Sequence, residues 1–401
     1  VSAYFFRPTC GSSPSFPAPR PPSLLCGWGT ELVASAASAA PEPEPRRSWE
    51  AGGDVDLDSV AYGFMASQAL FAALELGLFD HVAAAGPAGA GAAALGAACG
   101  VEGPRLLTLL TALVALKCLR QAGGFYTLSP NTARYMVRTS KAYYGDYLMY
   151  QIGRQFYATM GQLPEVMKTG RALTYASWFS DPAVAETYTR AQHNGSLATA
   201  RSLIRGMADL AEVRDLLDVG GGSGAFSYAF AAAAPALQAT VLELPEVCCV
   251  GEAIRAGQPE DVRRRVRFVE LDATSPSWPV ADGASWLRQV FGLGAYDAVI
   301  MSYLSGSVPE PVIVGLYANA WRALRPGGRL LVHDFMVNDS RDGPVLASLW
   351  ALQHVTVNAA GVGLCPSEVL VRLGQAGFDP GKCDTSEMIQ GLTKLVVARK
   401  A

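Results

Sequence analysis

The chain has no long basic run: its 401 residues carry 32 Lys and Arg against 35 Asp and Glu, for a formal net charge of -3. Phosphate backbones are held by clustered cations, so no nucleic acid is expected as a partner. No uninterrupted apolar run is long enough to span a bilayer, and no membrane is expected either. The eight cysteines show no zinc-type pairing, and no metal is expected. Dispersed as they are, they read as free or buried thiols of a reducing, cytoplasmic compartment, with Cys248-Cys249 as helix packing. Only 17% of residues are charged while 50% are hydrophobic, ample for two sizeable cores plus a tail. The tail is residues 1–53. Its Ser-Pro, Pro-Ala-Pro and Pro-Glu-Pro-Glu-Pro stretches lack a periodic apolar face and read as disordered. A targeting peptide would need a basic start and an apolar core, which are missing there.

What is present concentrates at Leu216-Leu217-Asp218-Val219-Gly220-Gly221-Gly222-Ser223-Gly224. The apolar run reads as a buried strand entering a glycine turn, with Ala225 to Ala234 as the following helix. Gly220, Gly222 and Gly224 recur at every second position and let the backbone approach a ligand where a Cβ would clash. Amides at the turn and helix start favour electron-rich ligand groups. Asp218 is awkward for a pyrophosphate but suits the ammonium of a methionine moiety. Glu243 ends the next apolar run, Ala239 to Leu242, and lies 23 residues after Gly220. A doubly wound sheet presents an acid to ribose hydroxyls at about that distance. The pair points to S-adenosylmethionine. Gly220-x-Gly222-x-x-Ala225 also fits the dinucleotide fingerprint, so a nicotinamide oxidoreductase stays as an alternative, disfavoured by Asp218.

The rest of this half repeats the pattern. Asp272 follows the run Val266 to Leu271, where an adenine-facing acid would sit. Asp297 to Met301 reads as a fourth strand, Arg325-Pro326-Gly327-Gly328 as a turn, and Arg329 to Asp334 as a fifth strand. Strands alternating with helices imply an α/β fold with a parallel sheet and a site at the strand C-termini.

Residues 54–198 read as mainly helical, and residues 199–401 as the sheet domain. Ser59 to Phe79 carries apolar residues around most of a helix, which implies deep burial. Pro104 to Leu119 reads as a second apolar helix, and Gly123 to Pro130 as a hairpin wing. Helices followed by a wing suggest a winged-helix unit. Its apolar helix offers few cations for phosphates, so dimerisation is the expected role rather than DNA binding.

At residues 55 to 401 the chain resembles the plant-type small-molecule O-methyltransferases, within them the acetylserotonin O-methyltransferase group. The resemblance is carried by Tyr62 to Asp80, by Leu217-Asp218-Val219-Gly220-Gly221-Gly222, by Leu244-Pro245-Glu246-Val247 and by Arg325-Pro326-Gly327-Gly328. It implies a Rossmann-like class I methyltransferase domain behind a helical winged-helix dimerisation domain, assembled as a homodimer. It also implies S-adenosyl-L-methionine held at Asp218, Gly220, Gly222, Gly224, Glu243 and Asp272, with Phe179 and Ser196 covering it from the helical side. The acceptor it implies is a small, cyclic or aromatic hydroxyl compound.

One departure stands out against the resemblance. The family carries His-Asp-Trp after the fourth strand, and the corresponding positions here are Gly306, Ser307 and Val308. Asp334 takes the place of one partner glutamate, and the region of the other reads Asn358-Ala359-Ala360-Gly361. The chain has four histidines. His354, mapped by the resemblance to a helix lining the acceptor side, is the preferred base, and His193 is the second candidate. His333, at a strand end, reads equally as a structural hydrogen-bonding group, and His81 as structural. A satisfied buried histidine is the competing reading for each. A catalytically weak family member that keeps dimer and cofactor binding is the alternative to the enzyme. An acceptor acidic enough to ionise unaided would need no base at all.

Overall fold

A computed structural model describes residues 55–207, 209–275, 278, 294–359 and 363–401. The tail expected at residues 1–53 lies outside the described residues. Asp58–Ala401 form one compact unit.

The helical part opens with α1 (Leu57–Glu75), α2 (Leu78–Ala84), α3 (Ala92–Cys99) and α4 (Gly103–Ala115). Leu78, Phe79, Leu95, Leu106, Leu110 and Leu113 from the last three are wholly buried in one cluster. Three short strands, β1 (Ala90–Gly91), β2 (Leu119–Ala122) and β3 (Phe125–Leu128), pair antiparallel in the order β1-β3-β2. The β2–β3 hairpin is the one expected from Gly123-Gly124, whose φ angles of +57° and +83° suit a tight primed turn. The deep burial expected for α1 holds only at its C-terminal end, where Phe71, Ala73 and Leu74 are buried. Val60, Tyr62, Phe64 and Met65 are 48–58% exposed. Pattern alone could not tell a face covered by this chain from one left open.

After α5 (Pro130–Tyr135) the chain forms an unusual ten-residue π-helix, Tyr147–Phe156, then α6 (Tyr157–Met160), α7 (Leu163–Thr169), α8 (Tyr175–Phe179) and the long α9 (Pro182–Arg205). Residues 198 and 199, taken from the sequence as the domain junction, lie inside α9. That helix is continuous and packs along α10 (Ala225–Ala233) and α11 (Pro245–Ala256) of the sheet half.

The large sheet has seven strands in the order β6-β5-β4-β7-β8-β10-β9. β4 (Asp215–Val219), β5 (Gln238–Glu243), β6 (Val266–Glu270), β7 (Tyr296–Ser302) and β8 (Leu324–Phe335) run parallel, as expected. The sheet as a whole is mixed. β9 (Cys383–Ile389) and β10 (Thr393–Arg399) form a hairpin whose second strand pairs antiparallel with β8. The expected Arg325–Gly328 turn is a bulge at the start of β8, where register jumps from Tyr296–Leu324 to Ala298–Arg329. Arg325 there bonds Asp215 and Asp297 at 2.7 and 2.6 Å, tying β8 to the starts of β4 and β7. At the other end of the sheet the strand C-termini open toward α8 and α9.

Phe230 on α10 is wholly buried against β4 and β5, and α10 begins where the glycine turn ends. We expect Phe230→Ala to cost about 3–5 kcal/mol in urea unfolding. A loss below about 1 kcal/mol would show that α10 is not what braces the turn.

Candidate active site

A cavity of about 350 Å³ lies at the C-terminal ends of β4, β5 and β7, between the glycine turn and α8 and α9. Its size is ordinary for a small-molecule site. Asp218, Gly220, Gly222, Glu243, Asp272, Phe179 and Ser196 all line it. Gly224 does not. Its φ of +78° starts α10, and a Cβ there would meet Phe268 and Tyr228, so its small size serves packing.

The floor is a strand end folded over a buried acid. Asp218, the fourth residue of β4, is wholly buried, and its Oδ2 accepts from Ser227 Oγ at 2.8 Å. Oδ1 has no partner. Burial above all, relieved in part by Ser227, pushes this carboxyl up to about 7. The turn crosses directly above it: a Cβ on Gly221 would come within 2.6 Å of Asp218 Cγ, so only glycine passes. Glu243, at the end of β5, accepts from Gly222 N at 2.9 Å and from Leu244 N at 2.8 Å, which ties the turn to the neighbouring strand. Asp272 Oδ1 accepts from Thr274 N and Oγ1 at 2.8 and 2.7 Å.

These residues fit the expected S-adenosylmethionine. An unpartnered buried carboxylate oxygen is costly, by about 1–3 kcal/mol or more, unless a donor meets it. An ammonium is such a donor. A Cβ on Gly222, where φ is +56°, would meet nothing within 4 Å, so the turn leaves open space at that point.

The roof is aromatic. Thr174 and Ser177 form a reciprocal capping box, both bonds 3.1 Å, that fixes the start of α8. It sets Tyr175 and Phe179, four residues apart, on one face. Their rings pack against Tyr188 and Trp178 with centroids 4.8–6.0 Å apart. On α9, Tyr188, Thr189, Gln192 and Ser196 share the helical face turned to the cavity. Gln192 Nε2 donates to Tyr188 Oη at 2.9 Å. Opposite stand Ser302, Tyr303, Leu304, Ser307 and Val308 from the end of β7 onward, and Val357 and Asn358. Tyr303 adopts a left-handed φ of +58°, an uncommon conformation for an aromatic residue and one that clusters at functional sites.

No imidazole lines the cavity among the described residues. His193 sits on α9 behind the glycine turn, its Nδ1 2.9 Å from Ser223 Oγ, and burial lowers its pKa. His333 is wholly buried on β8 with Nδ1 2.8 Å from Ser302 Oγ. His354, buried near the end of α14 (Val345–Val355; α12 being Glu260–Arg263 and α13 Glu310–Ala323), packs against Gly306. Asp334, wholly buried, accepts from Gly306 N at 3.0 Å and Phe335 N at 2.9 Å, and burial pushes it up to about 7. His354 and Asp334 thus come together around Gly306, and His193 stands apart from them. The glycine and acid positions were readable because they are local to strand ends. Tyr175, the α9 pair Tyr188 and Gln192, and Asn358 come from three separate segments and carried no local signal; only the positive φ of Tyr303 marks it, and sequence does not show φ.

The two raised carboxyls have a consequence for stability. An unfolded aspartate releases its proton near 3.9. Between about pH 4 and 7 the ligand-free protein holds protons that the unfolded chain has lost, so these groups make stability fall as pH rises through that window. We expect Asp218→Asn to raise the melting temperature of the ligand-free protein at pH 8 and to change it little at pH 4. Equal shifts at both pH values would remove the buried charge as the cause.

An O-methyltransferase domain model matches residues 158–379, and an O-methyltransferase dimerisation domain model matches residues 59–138. The chain is 30% identical over 340 residues to acetylserotonin O-methyltransferase of Homo sapiens, covering 80% of this chain and 91% of that protein. It is 30% identical over 304 residues to 3-hydroxy-5-methyl-1-naphthoate 3-O-methyltransferase of Streptomyces sahachiroi, covering 74% of this chain and 81% of the relative. In fold it is similar to human N-acetylserotonin methyltransferase solved in complex with SAM, with a TM-score of 0.74 over 88% of this chain and 99% of that one, at 23% identity.

Proposed function

The chain belongs to the O-methyltransferase family, and on that premise we propose that it methylates a hydroxyl of a small, cyclic or aromatic acceptor held under the tyrosine roof. S-adenosylmethionine is the methyl donor, and when bound it supplies an electrophilic methyl group. The observation that carries the reading is the unpartnered, buried Oδ1 of Asp218 at the cavity floor. Asp218 holds the donor's ammonium, Glu243 its ribose hydroxyls, and Asp272 its adenine side. Phe179 and Ser196 close over it from α8 and α9. Tyr175, Tyr188, Val308 and Val357 give the acceptor flat and apolar walls, which suit a ring system. Acetylserotonin and a hydroxynaphthoate, named for the two relatives, are both aromatic hydroxyl compounds.

The acting form is a homodimer built through the helical part. The half-exposed Val60, Tyr62, Phe64 and Met65 of α1 form a run of apolar surface that a second copy would cover. At 19 residues α1 is also long and apolar enough to cross a bilayer by length and composition alone. The dimerisation domain match over residues 59–138 favours the second copy. We read this part as a winged-helix arrangement used for assembly. Light scattering on residues 51–401 should give the mass of a dimer, and a stable monomer would overturn the assembly.

Calorimetry tests the site. S-adenosylmethionine should bind and the nicotinamide cofactors should not. Asp218→Ala should weaken that binding at least about tenfold, the scale of one lost charge-assisted bond. Affinity should also fall as pH drops below about 7, because the cation needs the ionised form of a carboxyl that burial holds near 7. Unchanged affinity in a folded Asp218→Ala protein would remove the assignment. A family member that binds donor without turnover is the second reading, favoured by a cavity wall without imidazole. Methylation assays over an acceptor panel decide between the two.

A further inference from the structure

The ionisable groups around the cavity sort by what already engages them. Asp218, Glu243 and Asp272 belong to the glycine-turn side. His193 is tied to Ser223 on that same turn, and His333 is tied to Ser302 and wholly buried. Burial pushes up the phenols of Tyr175, Tyr188 and Tyr303, so near neutral pH they donate hydrogen bonds and do not take protons. That leaves His354 and Asp334.

His354 lies one helical turn before Asn358, a cavity residue whose N–H donates to the His354 carbonyl at 2.8 Å. A Cβ built on Gly306 would come within 2.8 Å of His354 Nδ1 and 3.0 Å of Cε1. The imidazole therefore fills space that any other residue at 306 would claim. Asp334 Oδ1 is 3.4 Å from that same point, and its Oδ2 holds the Gly306 N–H. Leu304 and Ser307, on either side of Gly306, line the cavity. The rings of Phe335 and Trp350, stacked at 4.4 Å, sit about 6 Å from the imidazole.

We propose that His354 is the base of the reaction, its imidazole packed against Gly306 in the segment whose Leu304 and Ser307 line the cavity. Asp334 is the positioning residue that pins Gly306 in place. The inference rests on the methyl-transfer reading above. The ring nitrogen takes the hydroxyl proton as the acceptor oxygen gains its bond to the methyl carbon. The sulfur–methyl bond breaks with its electron pair staying on sulfur, and the imidazolium then gives its proton to water. Burial disfavours a charged ring and pushes His354 down to about 4, so the ring is neutral and able to accept at pH 7.

The test is a double-mutant cycle read with acetylserotonin, 3-hydroxy-2-naphthoate and 4-nitrophenol as acceptor probes, with S-adenosylmethionine calorimetry alongside. His354→Ala, and His354→Gln as the variant that keeps more volume, should lower kcat about 10²–10⁴-fold at unchanged donor affinity. The loss should shrink at high pH, where the acceptor ionises unaided. Gly306→Ala should lower kcat in the wild-type background, because its Cβ displaces the ring, and should add nothing in His354→Ala. Gly306→His combined with His354→Ala should recover part of the turnover, which a merely structural role for His354 would not give. Full turnover in both His354 variants would overturn the proposal. So would an equal cost of Gly306→Ala in the two backgrounds, or a wild-type protein that binds S-adenosylmethionine and methylates none of the probes. A wild-type protein that fails to bind S-adenosylmethionine strikes the methyl-transfer reading instead.

Discussion

The site depends on one close crossing: a glycine backbone laid over a buried carboxylate. Asp218 sits at 0% exposure in β4, an inner strand, and the next turn leaves no room above it for a side chain at Gly221. An aspartate placed there is costly without a partner, since burial above all pushes it up to about 7. The fold tolerates it because Ser227, two residues into α10, bonds one oxygen. The other oxygen is left over. Under the proposed function, a group that would weaken an ordinary core serves as a binding determinant for a cation, held in place by β4 and α10.

The neighbouring strand locks the same turn from the side. Glu243 spends one carboxylate oxygen on Gly222 N and the other on Leu244 N, so the acid at the end of β5 is part of the turn's hydrogen bonding as well as of the cavity wall. Backbone and ligand site are therefore specified by the same few residues. This is why Asp218, Gly220, Gly222 and Glu243 were legible in the sequence. Each owes its identity to a local requirement, a strand end or a left-handed turn, that shows up as a residue type at a fixed spacing.

The acceptor side was much less legible, and for a physical reason. Tyr175 and Tyr188 come from two helices, Tyr303 and Val308 from the loop after β7, and Val357 and Asn358 from beyond α14. Aromatic and apolar residues at those places have the same sequence pattern whether they face a core or a cavity. The same ambiguity applies to α1, whose all-round apolar pattern implies deep burial without showing which of its faces this chain covers itself. The N-terminal half of α1 is open in the single chain, and it is the surface that the proposed dimer would cover. The β9–β10 hairpin was passed over because most of β9 is exposed, so it lacks the apolar run that marked the inner strands.

Gly306 and His354 show the two kinds of legibility meeting. The missing loop imidazole could be read from the sequence, since it is an absence at one position. That a helix returns an imidazole to the same space was anticipated only through the resemblance, which put His354 on a helix lining the acceptor side; 48 residues separate it from Gly306, and only the tertiary fold shows that the two meet. Carrying the ring on α14 changes its chemistry as well as its address. Asp334 spends its oxygens on the N–H groups of Gly306 and Phe335, and burial dominates the environment of His354. A ring whose conjugate acid lies near 4 accepts a proton with much less driving force from a simple phenol near 10 than from a more acidic hydroxyl. If His354 acts as proposed, the burial that keeps the ring neutral would favour acceptors whose hydroxyls are acidified by a neighbouring carbonyl or an extended ring system. The acidity of the acceptor and the placement of the base are then two sides of one constraint, set by the glycine at 306.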